Sequence, residues 1–206
     1  MGHFASRNMQ QNFCILLVIT LGGQVVTDII AQHQKATANA LGLDELRTGR
    51  HICRDDDRTR IGELWCPYFW TIRAIPTFNE HVMITVVEME GRDSPRFKTK
   101  GWRKAAISAE GEFEVLTNVS RNVEPCLDGL QLLLPSGNLT LDGILYEFAI
   151  QSVELRGTFS FGNPNNAGWA LLANECRKLG ESLAKQARNP ILLQHMAQWK
   201  VYAEDA

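Results

Sequence analysis

The sequence predicts an α+β fold, in which an antiparallel β-sheet or small barrel is closed by a C-terminal amphipathic helix and preceded by an N-terminal helical extension. Helical periodicity appears before residue 42 and again after residue 162, whereas the region between residues 64 and 161 is rich in aromatic and β-branched residues. Short runs in this region are separated by residues that favour turns. The predicted domains are an N-terminal extension (1–60), a β-rich core with its capping helix (61–188) and a C-terminal helical tail (189–206).

The composition is that of a folded chain. Of the 206 residues, 45% are hydrophobic and 21% are charged, which excludes disordered, collagen-like and low-complexity proteins. Asp and Glu number 23 against 21 Lys and Arg, so the net charge is -2 and no specific nucleic-acid binding is predicted. The longest apolar run, residues 14–21, is shorter than the roughly 20 residues of a transmembrane helix, which excludes a polytopic membrane protein.

The first 23 residues support two interpretations. Arg7 precedes the apolar run without any acidic residue, and Gly22-Gly23 follows it, an order that is typical of a secretory signal peptide. The same residues also fit a buried strand over residues 14–20 that turns through the two glycines into a helix.

A helix is predicted over residues 24–41, followed by a polar connector over residues 42–60. Gly42 is the expected stop of this helix, because glycine commonly follows the last helical residue. The connector carries Asp55-Asp56-Asp57 among several arginines, a mixture that predicts a solvated loop with local ion pairs. The apolar stripe of the helix consists of Val25, Val26, Ile29, Ile30 and Leu41.

The β region is predicted to contain antiparallel strands joined by short turns. Ala109-Glu110-Gly111 and Pro135-Ser136-Gly137 supply the residues that tight hairpins need. Apolar residues fall on even positions over 144–150 and on odd positions over 153–161, so a bulge or turn at Gln151-Ser152 is needed to keep one core face. The predicted strands are 65–75, 81–90, 97–108, 112–118, 130–134 and 139–161.

Two helices are predicted after residue 161. Asn163-Pro164 and Asn189-Pro190 each offer an N-cap followed by proline at the first helical position. The first helix carries apolar residues at helical spacing, which are Trp169, Leu172, Ala173, Cys176, Leu179 and Leu183. The second carries Leu192, Leu193, Met196 and Trp199, a stripe that packs on the core or on a partner.

The order of elements over residues 81–187 carries a family resemblance. A strand over residues 82–90 leads into a basic stretch, and a last strand over residues 158–161 leads through Asn163-Pro164 into a helix with Trp169 near its start. In this order the segment resembles a pleckstrin-homology domain. The resemblance implies a curved seven-stranded antiparallel sheet whose open end is plugged by the C-terminal helix. It also implies that the basic loop holds a phosphoinositide headgroup.

The basic stretch over residues 92–104 is the predicted binding site. It contains six basic residues and one acidic residue. Alternate residues of a strand share a face, so Arg96, Lys98 and Lys100 are predicted to concentrate positive charge where a phosphate or carboxylate binds. A basic hairpin is also commonly a solvated edge that prevents strand-to-strand aggregation. The candidate anion-binding residues are Arg96, Lys98, Lys100, Arg103 and Lys104.

The cysteines and two modification motifs support an alternative. If the signal peptide is removed, four cysteines remain, an even number that forms two disulfides in one of three pairings. These are Cys53, Cys66, Cys126 and Cys176. Asn118 and Asn138 each begin an Asn-x-Ser/Thr acceptor for N-glycosylation. Reduced, buried thiols in a reducing compartment are the other interpretation.

Neither a catalytic site nor a metal or cofactor site is predicted. His51, Cys53 and Cys66 lack the fourth ligand of a zinc site. Asp142 and Glu147 lack the lysine that accompanies the carboxylates of metal-dependent nucleases.

The sequence therefore predicts a non-enzymatic binding module whose residues 92–104 engage an anionic lipid headgroup or an acidic protein surface. We expect it to be cytoplasmic or peripheral to a membrane, and to act as a homo-oligomer or as a subunit of an assembly. The alternative is a secreted, disulfide-stabilised β-protein that binds a ligand or a host surface.

Overall fold

A computed structural model of the chain describes residues 29–54, 60–91, 101–116, 119, 123–127, 143–163 and 167–204. The elements in chain order are α1 (residues 29–40), β1 (Gly49–Arg54), β2 (Arg60–Cys66), β3 (Tyr68–Pro76), β4 (Val82–Gly91), β5 (Gly101–Ala109), β6 (Glu112–Leu116), a 3₁₀ turn (Glu124–Cys126), β7 (Ile144–Ser152), β8 (Arg156–Gly162), α2 (Ala167–Ala187) and α3 (Pro190–Glu204). The predicted α+β class is confirmed, since the described residues form one antiparallel sheet of eight strands followed by two C-terminal helices. The sheet is open, so the alternative of a small barrel is wrong.

The strands β2 and β3 form one long strand that is interrupted at Pro67. Both pair with the same edge of β4, with Trp65 opposite Glu90 and Phe69 opposite Val87. The register therefore slips by one residue between them, as it does at a bulge. The other edge of this long strand pairs with β1 beside β2 and with β7 beside β3. The sheet thus runs from β6 through β5 and β4 to the long strand, and then divides between β1 and the β7–β8 hairpin.

The main hydrophobic core lies between the sheet and the helices α2 and α3. The side chains of Trp70, Tyr146, Phe148 and Trp199 are all fully buried there. Trp70 stacks on Phe148 with ring centroids 5.5 Å apart, and Trp199 Nε1 donates a hydrogen bond of 3.1 Å to the Tyr146 hydroxyl. Burial of each such side chain contributes about 2 to 3 kcal/mol relative to an exposed position.

The helix α2 covers this core with the face that its periodicity predicted. Trp169 packs on Phe161 with ring centroids 4.6 Å apart, and Leu172, Cys176 and Leu179 are buried. Among the described residues, no helix has both the length and the apolar character needed to cross a membrane.

The predicted caps of the two C-terminal helices differ in outcome. Asn189 Oδ1 accepts hydrogen bonds from the backbone N–H groups of Ile191 (3.0 Å) and Leu192 (3.3 Å), so the cap of α3 is confirmed. Asn163 Oδ1 instead accepts a hydrogen bond of 2.8 Å from the backbone N–H of Ile144. Asn163 therefore fixes the start of β7, and Pro164 lies outside the described residues.

The change of apolar phase near residue 151 marks a turn, as predicted. The strand β7 ends at Ser152, β8 begins at Arg156, and the two strands pair antiparallel. Ser152 Oγ accepts hydrogen bonds from the backbone N–H groups of Glu154 and Leu155 at 3.2 and 2.9 Å. The predicted strand over residues 130–134 lies outside the described residues.

The helix α1 ends at residue 40 and is terminated by Gly42, as the sequence predicted. The backbone N–H of Leu43 donates to the carbonyl of Ala38 at 2.9 Å, and that of Gly42 donates to the carbonyl of Asn39 at 3.0 Å. Gly42 has a φ of 70°, so these bonds form a Schellman motif in which glycine avoids the strain of a left-handed backbone. Ala38 and Leu43 pack with Phe69 in a second, smaller hydrophobic cluster, which places α1 on the sheet face opposite α2 and α3.

Candidate functional site

The face of the sheet that carries α1, called the α1 face below, buries polar side chains beside the smaller hydrophobic cluster. Thr71 and Arg73 of β3 and Thr85 of β4 are buried on it. The helix contributes His33 and Thr37, which are 4% and 1% exposed. Buried polar residues are more informative than exposed apolar ones, because each must be paired or it destabilises the fold. A buried polar layer therefore lies between α1 and the sheet.

Hydrogen bonds connect α1 to the central strands within this layer. Gln34 Nε2 donates to Thr71 Oγ1 at 3.0 Å, and the hydroxyl oxygens of Thr71 and Thr85 are 2.8 Å apart. The hydroxyl of Thr37 donates to the carbonyl of His33 at 2.9 Å. These bonds fix the position of the Gln34 side chain and the rotation of α1 on the sheet.

The imidazole of His33 is the most buried titratable group of α1. Its Nδ1 lies 3.0 Å from Ser108 Oγ, and its ring meets the edge of Phe113 with centroids 5.6 Å apart. Burial, and then the neighbouring His81, lower the pKa of His33 from 6.5 to about 4. The ring is therefore neutral at pH 7, and its Nε2 has no hydrogen-bond partner among the described residues.

An ion pair is buried on the same face. Arg73 of β3 and Glu147 of β7 lie opposite each other in the ladder, and Arg73 Nη1 is 3.2 Å from Glu147 Oε2. Their side chains are 10% and 4% exposed. Burial, and then the Arg73 guanidinium, lower the pKa of the nearby His81. Such a pair contributes little net stability because desolvation offsets the attraction, so apolar residues would hold these strands together at least as well.

A cavity of about 170 Å³ opens beside α1, above β7 and β8. Ala149 lies at the floor of the cavity, between its ladder partners Thr71 and Thr158. Its side chain is small and therefore leaves space there. The cavity combines an apolar part with several polar side chains. The apolar lining includes Ile30, Phe69 and Ala149, and the polar lining includes Gln34, Gln151 and Arg156.

Of the predicted anion-binding residues, the structure describes the side chains of Arg103 and Lys104. Arg103 Nε donates to Glu88 Oε2 at 2.9 Å, and its Nη2 donates to the Tyr68 hydroxyl at 2.9 Å. Lys104 is the next residue and lies opposite Val87, which belongs to the α1-face cluster. The two side chains therefore point to opposite faces of β5, and the charge of Arg103 is balanced by Glu88.

The remaining predicted residues, Arg96, Lys98 and Lys100, lie outside the described residues. Their segment joins β4 to β5, which are antiparallel neighbours up to the pair of Glu90 with Gly101. Residues 92–100 therefore connect two paired strands, and anion binding by this segment stays a prediction. Leu64 of β2 pairs with Gly91, the last residue of β4, and the first residues of β2 extend beyond this pair. The β1–β2 hairpin therefore lies at the same end of the sheet as the basic stretch.

The structure describes the side chains of three of the five cysteines. Cys66, Cys126 and Cys176 are free thiols, so the two predicted disulfides are absent from the described part of the chain. Burial, and then the charge of Glu88, raise the pKa of Cys66 to about 12, which makes this thiol unreactive. The side chain of Cys53, the glycosylation candidates Asn118 and Asn138, and residues 1–23 lie outside the described side chains.

Within the described residues, no group of three or more His, Cys, Asp or Glu side chains is arranged to hold a metal ion. Comparison with protein families, with characterised proteins and with solved structures finds no match. The resemblance to a pleckstrin-homology domain stays a prediction, and function is inferred from the residues of this chain alone.

The buried polar layer was not predicted from the sequence, although the residue pattern of α1 indicates it. The apolar stripe assigned to α1 has a gap between Ile30 and Leu41. His33, Gln34 and Thr37 stand three, four and seven residues after Ile30 and therefore continue the same helix face. Polar residues that continue an apolar stripe predict a buried polar contact.

Proposed function

We propose that the protein is a non-enzymatic binding module that attaches to an anionic membrane surface. The contact is made by the basic end of the sheet, defined as the end at which residues 92–100 join β4 to β5. The observation that carries the proposal is the density of charge in one hairpin, since six basic residues and one acidic residue fall within 92–104.

The separation of charge along the sheet supports this proposal. Val82 pairs with Ala109 at the opposite end, where the connecting segments carry Glu80 and Glu110. The segment that joins β4 to β5 at one end is therefore basic, whereas the segments at the opposite end of these strands each carry a glutamate. Near an anionic leaflet, each lysine or arginine contributes about 1 kcal/mol of attraction, so a few such residues suffice for reversible attachment.

The described part of the strands that carry the basic hairpin offers charge without an exposed apolar anchor. Protein interfaces depend on buried aromatic and apolar anchors. None of the large exposed hydrophobic side chains among the described residues lies on β4 or β5, the strands that carry the hairpin. Attraction to headgroups needs no such anchor, because it depends on charge.

The described cations near this end differ in availability. Arg47 and Arg50 form ion pairs with Glu45 and Glu63, and Arg103 is held by Glu88. Lys104 has no ion pair among the described residues. The lysines of the hairpin are therefore better targets for charge reversal than Arg103, whose replacement would also disturb the fold.

The test is cosedimentation of the purified chain with two kinds of vesicle. One kind contains the anionic lipid phosphatidylserine, and the other consists of neutral phosphatidylcholine alone. We expect binding to the anionic vesicles only, at least tenfold weaker binding by Lys98→Glu/Lys100→Glu, and loss of binding in high salt. The matched control is Lys185→Glu/Arg188→Glu, which makes the same charge change at exposed positions near the end of α2. Thermal unfolding by circular dichroism checks that both variants fold.

Absence of wild-type binding to anionic vesicles overturns the proposal, as does equal loss of binding in the two double variants. Capture of an acidic protein without any vesicle binding assigns the basic end to a protein partner and also overturns it.

A further inference from the structure

We propose that the cavity between α1 and the β7–β8 hairpin binds a small monocarboxylate with an apolar, ring-sized body. This site lies on the α1 face and is separate from the basic end of the sheet. Its walls come from α1, β3, β7 and β8, which are all described elements.

The size of the cavity limits the body of the ligand. A volume of about 170 Å³ is slightly larger than an apolar cavity of about 150 Å³, which accommodates benzene. Sites for nucleotides and other larger cofactors are typically about 300 to 1,000 Å³. The cavity therefore fits a single six-membered ring or a branched chain of similar bulk.

The apolar part of the lining comes from elements that meet beneath α1. Ile30 projects from the helix, and Phe69 and Ala149 come from β3 and β7. Phe69 is almost fully buried and packs in the cluster that holds α1 to the sheet, so this wall is fixed. An apolar ring placed here would be removed from water on more than one side.

The polar part supplies one positive charge. Arg156 lines the cavity and is exposed to solvent, so it lies at the opening. It has no ion pair among the described residues. A guanidinium matches a carboxylate through two parallel hydrogen bonds, so one arginine suffices to hold one carboxylate.

Two amide side chains complete the polar part. Gln151 lies opposite Arg156 in the ladder, within reach of a group bound there. Gln34 is held in place by its hydrogen bond to Thr71 on the inner side of α1. A single cation with neutral neighbours favours a monoanion, since a phosphate dianion would leave charge unpaired.

Three probes of known chemistry test the proposal on the wild-type protein. Benzoate has the charge and the ring, benzamide has the ring without the charge, and acetate has the charge without the ring. Titration followed by ¹H–¹⁵N NMR should show saturable shifts in α1, β7 and β8 for benzoate. We expect at least tenfold weaker binding for both benzamide and acetate.

Two variants separate the contributions of charge and volume. Arg156→Gln should weaken benzoate binding at least tenfold, and Ala149→Leu should abolish it because the added side chain occupies the floor. Arg188→Gln is the matched control, since it removes an exposed arginine near the end of α2 and should bind benzoate as the wild type does.

Binding of the anionic vesicles by Arg156→Gln should remain unchanged, which keeps this inference separate from the proposed function. Absence of saturable shifts with benzoate overturns the inference. Equal binding of benzoate and benzamide, or unchanged binding by Arg156→Gln, also overturns it.

Discussion

The two faces of the sheet are formed by alternate residues of the same strands, yet their chemistry differs. On β3, Trp70 and Ile72 pack under α2 and α3, whereas Thr71 and Arg73 lie on the α1 face. The first face buries aromatic and aliphatic side chains against two long helices. The second buries a smaller hydrophobic cluster together with hydroxyls, an imidazole and an ion pair, and leaves a cavity beside one short helix.

The comparison indicates that most of the folding free energy comes from one side of the sheet, whereas the cavity proposed to bind a ligand lies on the other. A core of large apolar side chains supplies most of the folding free energy. Because the other face supplies most of this energy, the α1 face tolerates buried polar residues and a cavity.

Trp70→Ala should lower the free energy of unfolding by about 4 kcal/mol, because it empties a fully buried position in the main core. Guanidinium-induced unfolding followed by fluorescence or circular dichroism measures the change. Phe78→Ala serves as the control, since that side chain is 78% exposed and its removal should cost less than about 0.5 kcal/mol. A loss below about 1 kcal/mol for Trp70→Ala would contradict the role given to this face.

Glu147→Leu should lower the free energy of unfolding by about 3 kcal/mol, since it leaves the Arg73 guanidinium buried without a counter-charge. The double variant Arg73→Met/Glu147→Leu should return to within about 1 kcal/mol of the wild type. Urea unfolding of the two variants measures both effects. A double variant as unstable as the single one would mean that the pair itself holds the two strands together.

Acid should destabilise the protein through His33. The pKa of its imidazole is about 4 in the folded chain and 6.5 in an unfolded one, so the unfolded state binds the proton first as the pH falls. This part of the stability is fully present above pH 6.5, decreases as the pH falls from 6.5 to 4, and amounts to about 3 kcal/mol. His33→Gln should lose this decrease, which urea unfolding at pH 7.5 and pH 4.5 would reveal. An identical pH dependence in wild type and variant would exclude His33 as its source.

Asn189→Ala should cost about 1 kcal/mol, because it removes the side chain that accepts the first backbone N–H groups of α3. Thermal unfolding measures the effect, and Asn189→Ser should recover most of it, since serine also caps helices. Equal losses in both variants would show that the contact of Asn189 with Glu112, rather than the cap, is responsible.

The face that packs under α2 and α3 was predictable from the sequence, because the spacing of its apolar residues indicates which side chains are buried. The stripe from Leu172 to Leu183, the turn near residue 152 and the cap at Asn189 all follow from local patterns. Such local patterns can be interpreted without knowing which distant element packs against them.

The polar face could not be predicted in the same way, because its contacts depend on strand order. Arg73 and Glu147 are separated by 74 positions and meet only because β3 and β7 are neighbours. Isolated charged residues within strands look like solvent-facing positions until the pairing is known. The basic hairpin was recognised from composition, but the partners of Arg103 required the register of β4 against β5.

Native-state hydrogen exchange tests the difference between the two faces most directly, because it measures the opening free energy of each helix separately. If the smaller hydrophobic cluster and the polar layer hold α1 less strongly than the main core holds α2 and α3, the amides of α1 should exchange through local opening at least about 2 kcal/mol below the global free energy of unfolding. The amides of α2 and α3 should exchange only with global unfolding. Equal opening free energies for α1 and α2 would contradict the assignment of stability to one face of the sheet.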